Sequence, residues 1–145
     1  MKRSIQQTSS AAALATGAEL SRRGYDVTFT LGNTRKVDMF CAVPDGPTFK
    51  VQVKGLSNRN GFYIDKEFFD ATHGELYLVV VYVPPLGAPG PMEFHVLNHA
   101  QAQHEFSKMP THKKDGRPYP NGSGLNWGRV APYKDAWVAF PPLEP

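Results

Sequence analysis

The run from Leu76 to Val83 is apolar throughout, rich in β-branched residues and without alternation. A half-buried strand would alternate, so this one predicts a strand covered on both faces, and hence a sheet with a layer on each side. It is far shorter than the roughly 20 apolar residues of a membrane span. Met1-Lys2-Arg3 leads into polar residues rather than an apolar signal core, so the expectation is a protein without a membrane segment. Cys41 is the single cysteine, which rules out an internal disulfide and a four-cysteine zinc site and fits a reducing, cytoplasmic setting.

The flanking segments fill in the layers. Thr8, Ser9 and Ser10 offer caps for a helix over residues 11–23 that stops at Gly24. Tyr25, Val27, Phe29 and Leu31 alternate with Asp26, Thr28 and Thr30, the period of a strand with one buried face. Residues 37–43 and 49–53 read as a hairpin around Pro44-Asp45-Gly46-Pro47. A short strand at Phe62-Tyr63-Ile64 and a helical turn over 65–71 precede the apolar run. Residues 93–97 form a further strand, and Asn98 caps a helix to about Lys108. The segment 109–126, dominated by Pro, Gly, Asn and Lys, reads as irregular surface, with Trp127, Tyr133, Trp137, Val138 and Phe140 anchoring the C-terminus. With 145 residues, 41% of them hydrophobic, the chain suits one core and one domain, the core lying at about 10–108. The expected class is α/β, a central mixed sheet flanked by helices in the order αβββαβ.

Polar residues inside apolar strands carry the chemistry. Gln52 and Lys54 leave one face of their strand while Val51 and Val53 leave the other. Asp38 lies between Val37 and Met39, where a carboxylate is costly unless it meets a cation. Glu19 sits on the first helix among Ala15, Ala18 and Leu20 and is placed to reach the same sheet end. Oxygen ligands of this kind suit Mg²⁺ or Mn²⁺, and a neighbouring ammonium suits the charge that develops at a phosphodiester under attack. Register sets a condition. A strict two-residue Asp45-Gly46 turn would pair Asp38 with Val53 and put the carboxylate on the wrong face, so the site predicts an odd-length loop or a bulge.

The stretches AELSRRGYDVTFT, VDMF and VQVKG, within residues 10–83, resemble the PD-(D/E)xK, or restriction-endonuclease-like, superfamily. That resemblance implies a restriction-endonuclease-like core and a metal-dependent nuclease, chiefly a DNA endonuclease, with RNA as the other substrate to test. By motif, Glu19, Asp38, Gln52 and Lys54 take the family's catalytic positions. Glu19, Asp38, Gln52 and the Val53 carbonyl are the implied metal ligands, and Lys54 assists the attacking water. The chain departs from the family pattern in having Val37 where proline is frequent and Gln52 where an acid is frequent. The second departure removes a negative charge and raises the alternative of a catalytically inactive nucleic-acid-binding or regulatory module.

Candidates for nucleic-acid contact are the polar loop Asn33, Arg35 and Lys36, the residues Ser57, Asn58 and Arg59 after the tripeptide, and the basic pair Lys113 and Lys114. The net charge of +3 permits a polyanionic partner without requiring one. A domain of this size would cut both strands of a duplex as a homodimer. His95, His99 and His104 are spaced across a strand-to-helix boundary, which argues against a shared zinc face.

Overall fold

The computed structural model describes residues 1–30, 37–69, 75–118 and 124–144. Helix α1 (Ile5–Arg23) begins well before its alanine-rich stretch, because Ser4 rather than residues 8–10 supplies the cap. The Ser4 hydroxyl accepts from the Gln7 N–H at 3.0 Å, and the Gln7 side-chain oxygen accepts from the Ser4 N–H at 2.8 Å. This reciprocal box satisfies two donors that a helix start otherwise leaves open. Gly24 ends the helix at φ 108°, a left-handed conformation that favours glycine.

The sheet strands are β1 (Asp26–Phe29), β2 (Met39–Ala42), β3 (Thr48–Leu56), β5 (Leu76–Tyr82) and β6 (Glu93–Leu97). They form one five-stranded sheet in the order β1-β2-β3-β5-β6. Only β3 and β5 pair in parallel; the other neighbours are antiparallel. The protein is therefore an α/β fold with a mixed central sheet. Two further short strands, β4 (Phe62–Tyr63) and β7 (Gly124–Leu125), pair with each other beside it. β7 thus lies inside the segment expected to be wholly irregular. The expected helical turn after β4 is a 3-10 turn over Lys66–Phe69.

The two faces of the sheet bury separate apolar clusters. Ala12 and Leu20 of α1 pack with Met39, Cys41, Val51, Val79 and Val81 on one face. On the other, Leu78, Val80 and Leu97 pack with Phe62, Ile64, Phe68 and Ala102, the last from helix α2 (His99–Ser107). β5 contributes to both, as its uninterrupted apolar run requires. Asn98 caps α2 as expected, in a box with Gln101. Gly55 lets α1 lie against β3, since a Cβ there would sit 2.7 Å from Ala12 Cβ and 2.8 Å from the Thr8 carbonyl oxygen.

After α3 (Trp127–Val130), the C-terminal segment returns across the α1 side of the sheet. Trp137 and Phe140 are buried there, with Phe140 stacked on Tyr77 at 4.9 Å. Val138 does not anchor the segment: it is 93% exposed, because the 3-10 turn at Trp137–Ala139 points it away. Among the described residues no helix is long and apolar enough to cross a membrane.

Candidate functional site

The β2–β3 ladder pairs Ala42 with Thr48 and Met39 with Val51. The loop between the strands is therefore residues 43–47, an odd number, closed by Val43 N–H to Pro47 carbonyl at 2.9 Å and with Asp45 at φ 58°. The ladder ends at Met39–Val51, where the Asp38 N–H also turns to the Val51 carbonyl at 2.9 Å, and Asp38 comes to line one cleft with Gln52 and Lys54. The odd-length loop that the sequence calls for is thus present, as residues 43–47.

β2 ends as β3 runs on to Leu56, and the Asp38 carboxylate occupies the start of that overhang. Its Oδ2 accepts from the Val53 N–H at 2.7 Å. In β3 the even-numbered residues bond toward β5, as Lys50 N–H to the Glu75 carbonyl and Val83 N–H to the Leu56 carbonyl show. The N–H and C=O of Val53 therefore both point to the β2 edge, and its carbonyl lies on the Asp38 side.

Beside the overhang opens a cleft of about 750 Å³, lined by Asp38, Gln52, Val53 and Lys54, by Ser57 and Asn58, and by Phe62 and Tyr63. Gln52 is 4% exposed, and its Oε1 is buried without a hydrogen-bond partner among the described residues. A lone buried acceptor costs roughly 1–3 kcal/mol, so this oxygen is held ready for a donor or a cation that the described residues do not supply. Burial raises the Asp38 pKa above the usual carboxylate value, opposed by the Val53 N–H and the Lys54 charge. Burial lowers that of Lys54, opposed by the charges of Asp38 and Asp65. Each is thus partly desolvated, with the other as a compensating charge.

Glu19 does not join them. α1 packs on the opposite face of the sheet from Gln52 and Lys54, and Glu19 is held on that helix by Arg22 at 2.5 Å and Arg23 at 2.9 Å. Those contacts lower its pKa, the Arg22 hydrogen bond most. The part of α1 that reaches the cleft is its first turns, through Ile5, Thr8 and Ser9, preceded by Arg3. Arg3 bonds the Ser57 hydroxyl at 3.2 Å and the Pro84 carbonyl, fixing the end of β3.

Of the expected nucleic-acid contacts, Ser57 and Asn58 line the cleft. Arg59 turns away: it pairs with Glu93 at 2.7 Å and lies over the Tyr82 ring at 4.4 Å. Lys113 and Lys114 stand on a separate tight turn, closed by Lys113 N–H to Arg117 carbonyl at 2.8 Å. Asn33, Arg35 and Lys36 lie outside the described residues. His95 and His99 are buried with ring nitrogens 2.9 Å and 2.7 Å from the carbonyls of Val80 and Phe68, which ties both to the frame. Among the described residues no three His, Cys, Asp or Glu side chains gather as a metal-holding group. The donors at hand for a cation in the cleft are the Asp38 carboxylate, Gln52 Oε1 and the Val53 carbonyl.

Tyr63 and Asp65 were not picked out from the sequence. Tyr63 stands out between buried Phe62 and Ile64 at 52% exposure, and that short alternation was the available signal. Asp65 acts on Lys54 from the turn after β4, a through-space relation that no local pattern announces. Compared with protein-family models, curated proteins and solved structures, the chain gives no match.

Proposed function

We propose that this cleft is a divalent-cation-dependent phosphodiesterase site acting on DNA, in a QxK variant of the PD-(D/E)xK arrangement. The observation that carries the reading is the buried Gln52 Oε1, unpartnered among the described residues, in one cleft with Asp38. An amide oxygen without a donor, a carboxylate and a main-chain carbonyl form a hard-oxygen set that suits Mg²⁺ or Mn²⁺. Asp38, Gln52 and the Val53 carbonyl would hold the ion, which when bound supplies charge neutralisation at the phosphate. The element order and the parallel β3–β5 pairing within an otherwise antiparallel sheet also suit a restriction-endonuclease-like core.

The chain's own residues divide the remaining work. Lys54, on the Asp38 face of β3, places an ammonium where negative charge builds on the phosphoryl oxygens and orients the attacking water. The Val53 N–H fixes one Asp38 oxygen, leaving the other for the cation. Ser57 and Asn58 line the cleft as hydrogen-bond partners for the sugar-phosphate chain. Cutting a duplex with one such site per chain calls for a homodimer, while a monomer would nick.

One observation favours a second reading, a nuclease-fold binding module without catalysis. With Glu19 held behind the sheet and glutamine at position 52, Asp38 is the one carboxylate among the described residues that line the cleft, and Lys54 offsets its charge.

The deciding experiment is cleavage of supercoiled, linear and single-stranded DNA, with a matched RNA, in Mg²⁺, Mn²⁺ or EDTA, beside Asp38→Ala and Lys54→Ala. Metal-dependent cutting lost in both variants is the expected result. Binding without cutting, unchanged by Gln52→Glu, selects the non-catalytic module.

A further inference from the structure

The wall formed by Gly61, Phe62 and Tyr63 has two sides. One faces the Asp38–Lys54 cleft; the other lines a second recess of about 330 Å³, completed by Met109, Pro110, Leu125 and Asn126. Its size lies at the lower end of the range for small-ligand pockets, roughly 300–1,000 Å³. The β4–β7 pairing builds it: Phe62 opposes Leu125 and Tyr63 opposes Gly124. Gly124 is required at that position, since a Cβ there would lie 2.6 Å from the Phe62 carbonyl oxygen. The Tyr63 side chain is 52% exposed although its neighbours Phe62 and Ile64 are buried.

Directly after Met109 and Pro110 the chain forms the tight turn that carries Lys113 and Lys114. Arg117 on this turn is paired with Asp115 at 2.5 Å, whereas Lys114 is exposed. An apolar recess with an exposed aromatic, sharing the Gly61–Tyr63 wall with a hydrogen-bonding cleft, matches a nucleotide: the base in the recess and its phosphate along the cleft.

Resting on the nuclease reading, we infer that the recess takes an unpaired base of the substrate, stacked on Tyr63, so that the preferred substrate carries a single-stranded flank next to the scissile phosphate. A base paired within a duplex has no free face to offer Tyr63, so an intact duplex would forgo that contact. Stacking on an aromatic is tolerant of base identity, which predicts a preference for structure over sequence.

The test compares binding in EDTA of a blunt duplex and the same duplex bearing a short single-stranded flap with 2-aminopurine at its first unpaired position. Wild type, Tyr63→Phe and Tyr63→Ala are read by anisotropy and by 2-aminopurine quenching. The expected result is a flap preference of roughly tenfold to a hundredfold, with quenching, in wild type and Tyr63→Phe, and a ratio near one without quenching in Tyr63→Ala. Equal binding of flap and duplex by wild type, or a preference that persists with quenching in Tyr63→Ala, overturns the inference. If metal-dependent cleavage is then still lost in Asp38→Ala, the nuclease reading stands without it. Absence of both nucleic-acid binding and cleavage in wild type defeats the nuclease reading and the inference together.

Discussion

The Asp38 carboxylate accepts a 2.7 Å hydrogen bond from the main-chain N–H of Val53, at the point where β2 has ended and β3 continues with β5 as its one ladder partner. A side chain thereby satisfies an edge donor that a longer β2 would have taken. The same bond holds the carboxylate beside Gln52, Lys54 and the Val53 carbonyl, so the overhang of one strand past another creates the site.

The titration of this pair sets a pH dependence. Burial raises the Asp38 pKa and lowers that of Lys54. Cleavage needs Asp38 ionised and Lys54 protonated, so the rate profile should be a bell narrowed from both sides. At subsaturating metal its acid limb should lie above the ordinary aspartate range and move to lower pH as metal is added, and its alkaline limb should lie below the ordinary lysine range. In Asp38→Asn the activity should be absent at every pH; a full-rate profile in that variant would remove Asp38 from the site.

Stability without metal follows from the same shift. A carboxyl whose folded-state pKa is raised holds its proton more tightly when folded. Its favourable contribution is therefore complete below the unfolded pKa and is lost as pH rises through the folded one. Thermal unfolding in EDTA should show this loss over the window from the ordinary aspartate value to the raised one, and Asp38→Asn should flatten it. Because a cation competes with the proton, the rise in Tm on adding Mn²⁺ should grow with pH across that window.

Gln52 should trade stability against function. Replacing it with methionine removes the unpartnered Oε1 at similar volume, and should stabilise the metal-free protein by about 1 kcal/mol while abolishing cleavage and the Mn²⁺-dependent shift in Tm. Gln52→Glu restores a negative ligand and should lower the Mg²⁺ concentration for half-maximal cleavage by roughly tenfold. Chemical denaturation and metal titration check the two variants separately. A destabilised, metal-responsive Gln52→Met would contradict the assignment.

Glu19 offers the opposite control. It is bound to Arg22 and Arg23 on the far side of the sheet, so Glu19→Ala should leave the cleavage rate within about twofold, with a loss of stability below about 1 kcal/mol, as for surface pairs in general. A large fall in rate with unchanged stability would return Glu19 to the catalytic set.

Gly55→Ala should be harmful although it changes none of Asp38, Gln52 and Lys54. Its Cβ would meet both Ala12 and the Thr8 carbonyl at under 3 Å, forcing α1 away from β3 at a cost of about 1–3 kcal/mol. Equilibrium unfolding measures this, and a stability equal to wild type would show that α1 can shift freely.

The sequence by itself determined the main sheet strands, the two long helices and the shared face of Gln52 and Lys54. An uninterrupted apolar run predicts a strand covered on both sides, and β5 is one; Asn98 stands where a cap is expected, and it caps α2. The period of a strand puts Gln52 and Lys54 together wherever that strand lies, and the site's need for Asp38 on their face demanded an odd loop, which residues 43–47 provide. Tertiary structure alone decided which elements share a face. Nothing local to Glu19 says that α1 covers the side of the sheet away from Lys54, and nothing local to Arg59 says that Glu93 and Tyr82 capture it. Those outcomes, like the joining of β4 to β7 around Tyr63, depend on contacts between residues far apart in the chain, whereas periodicity and capping act within a few residues.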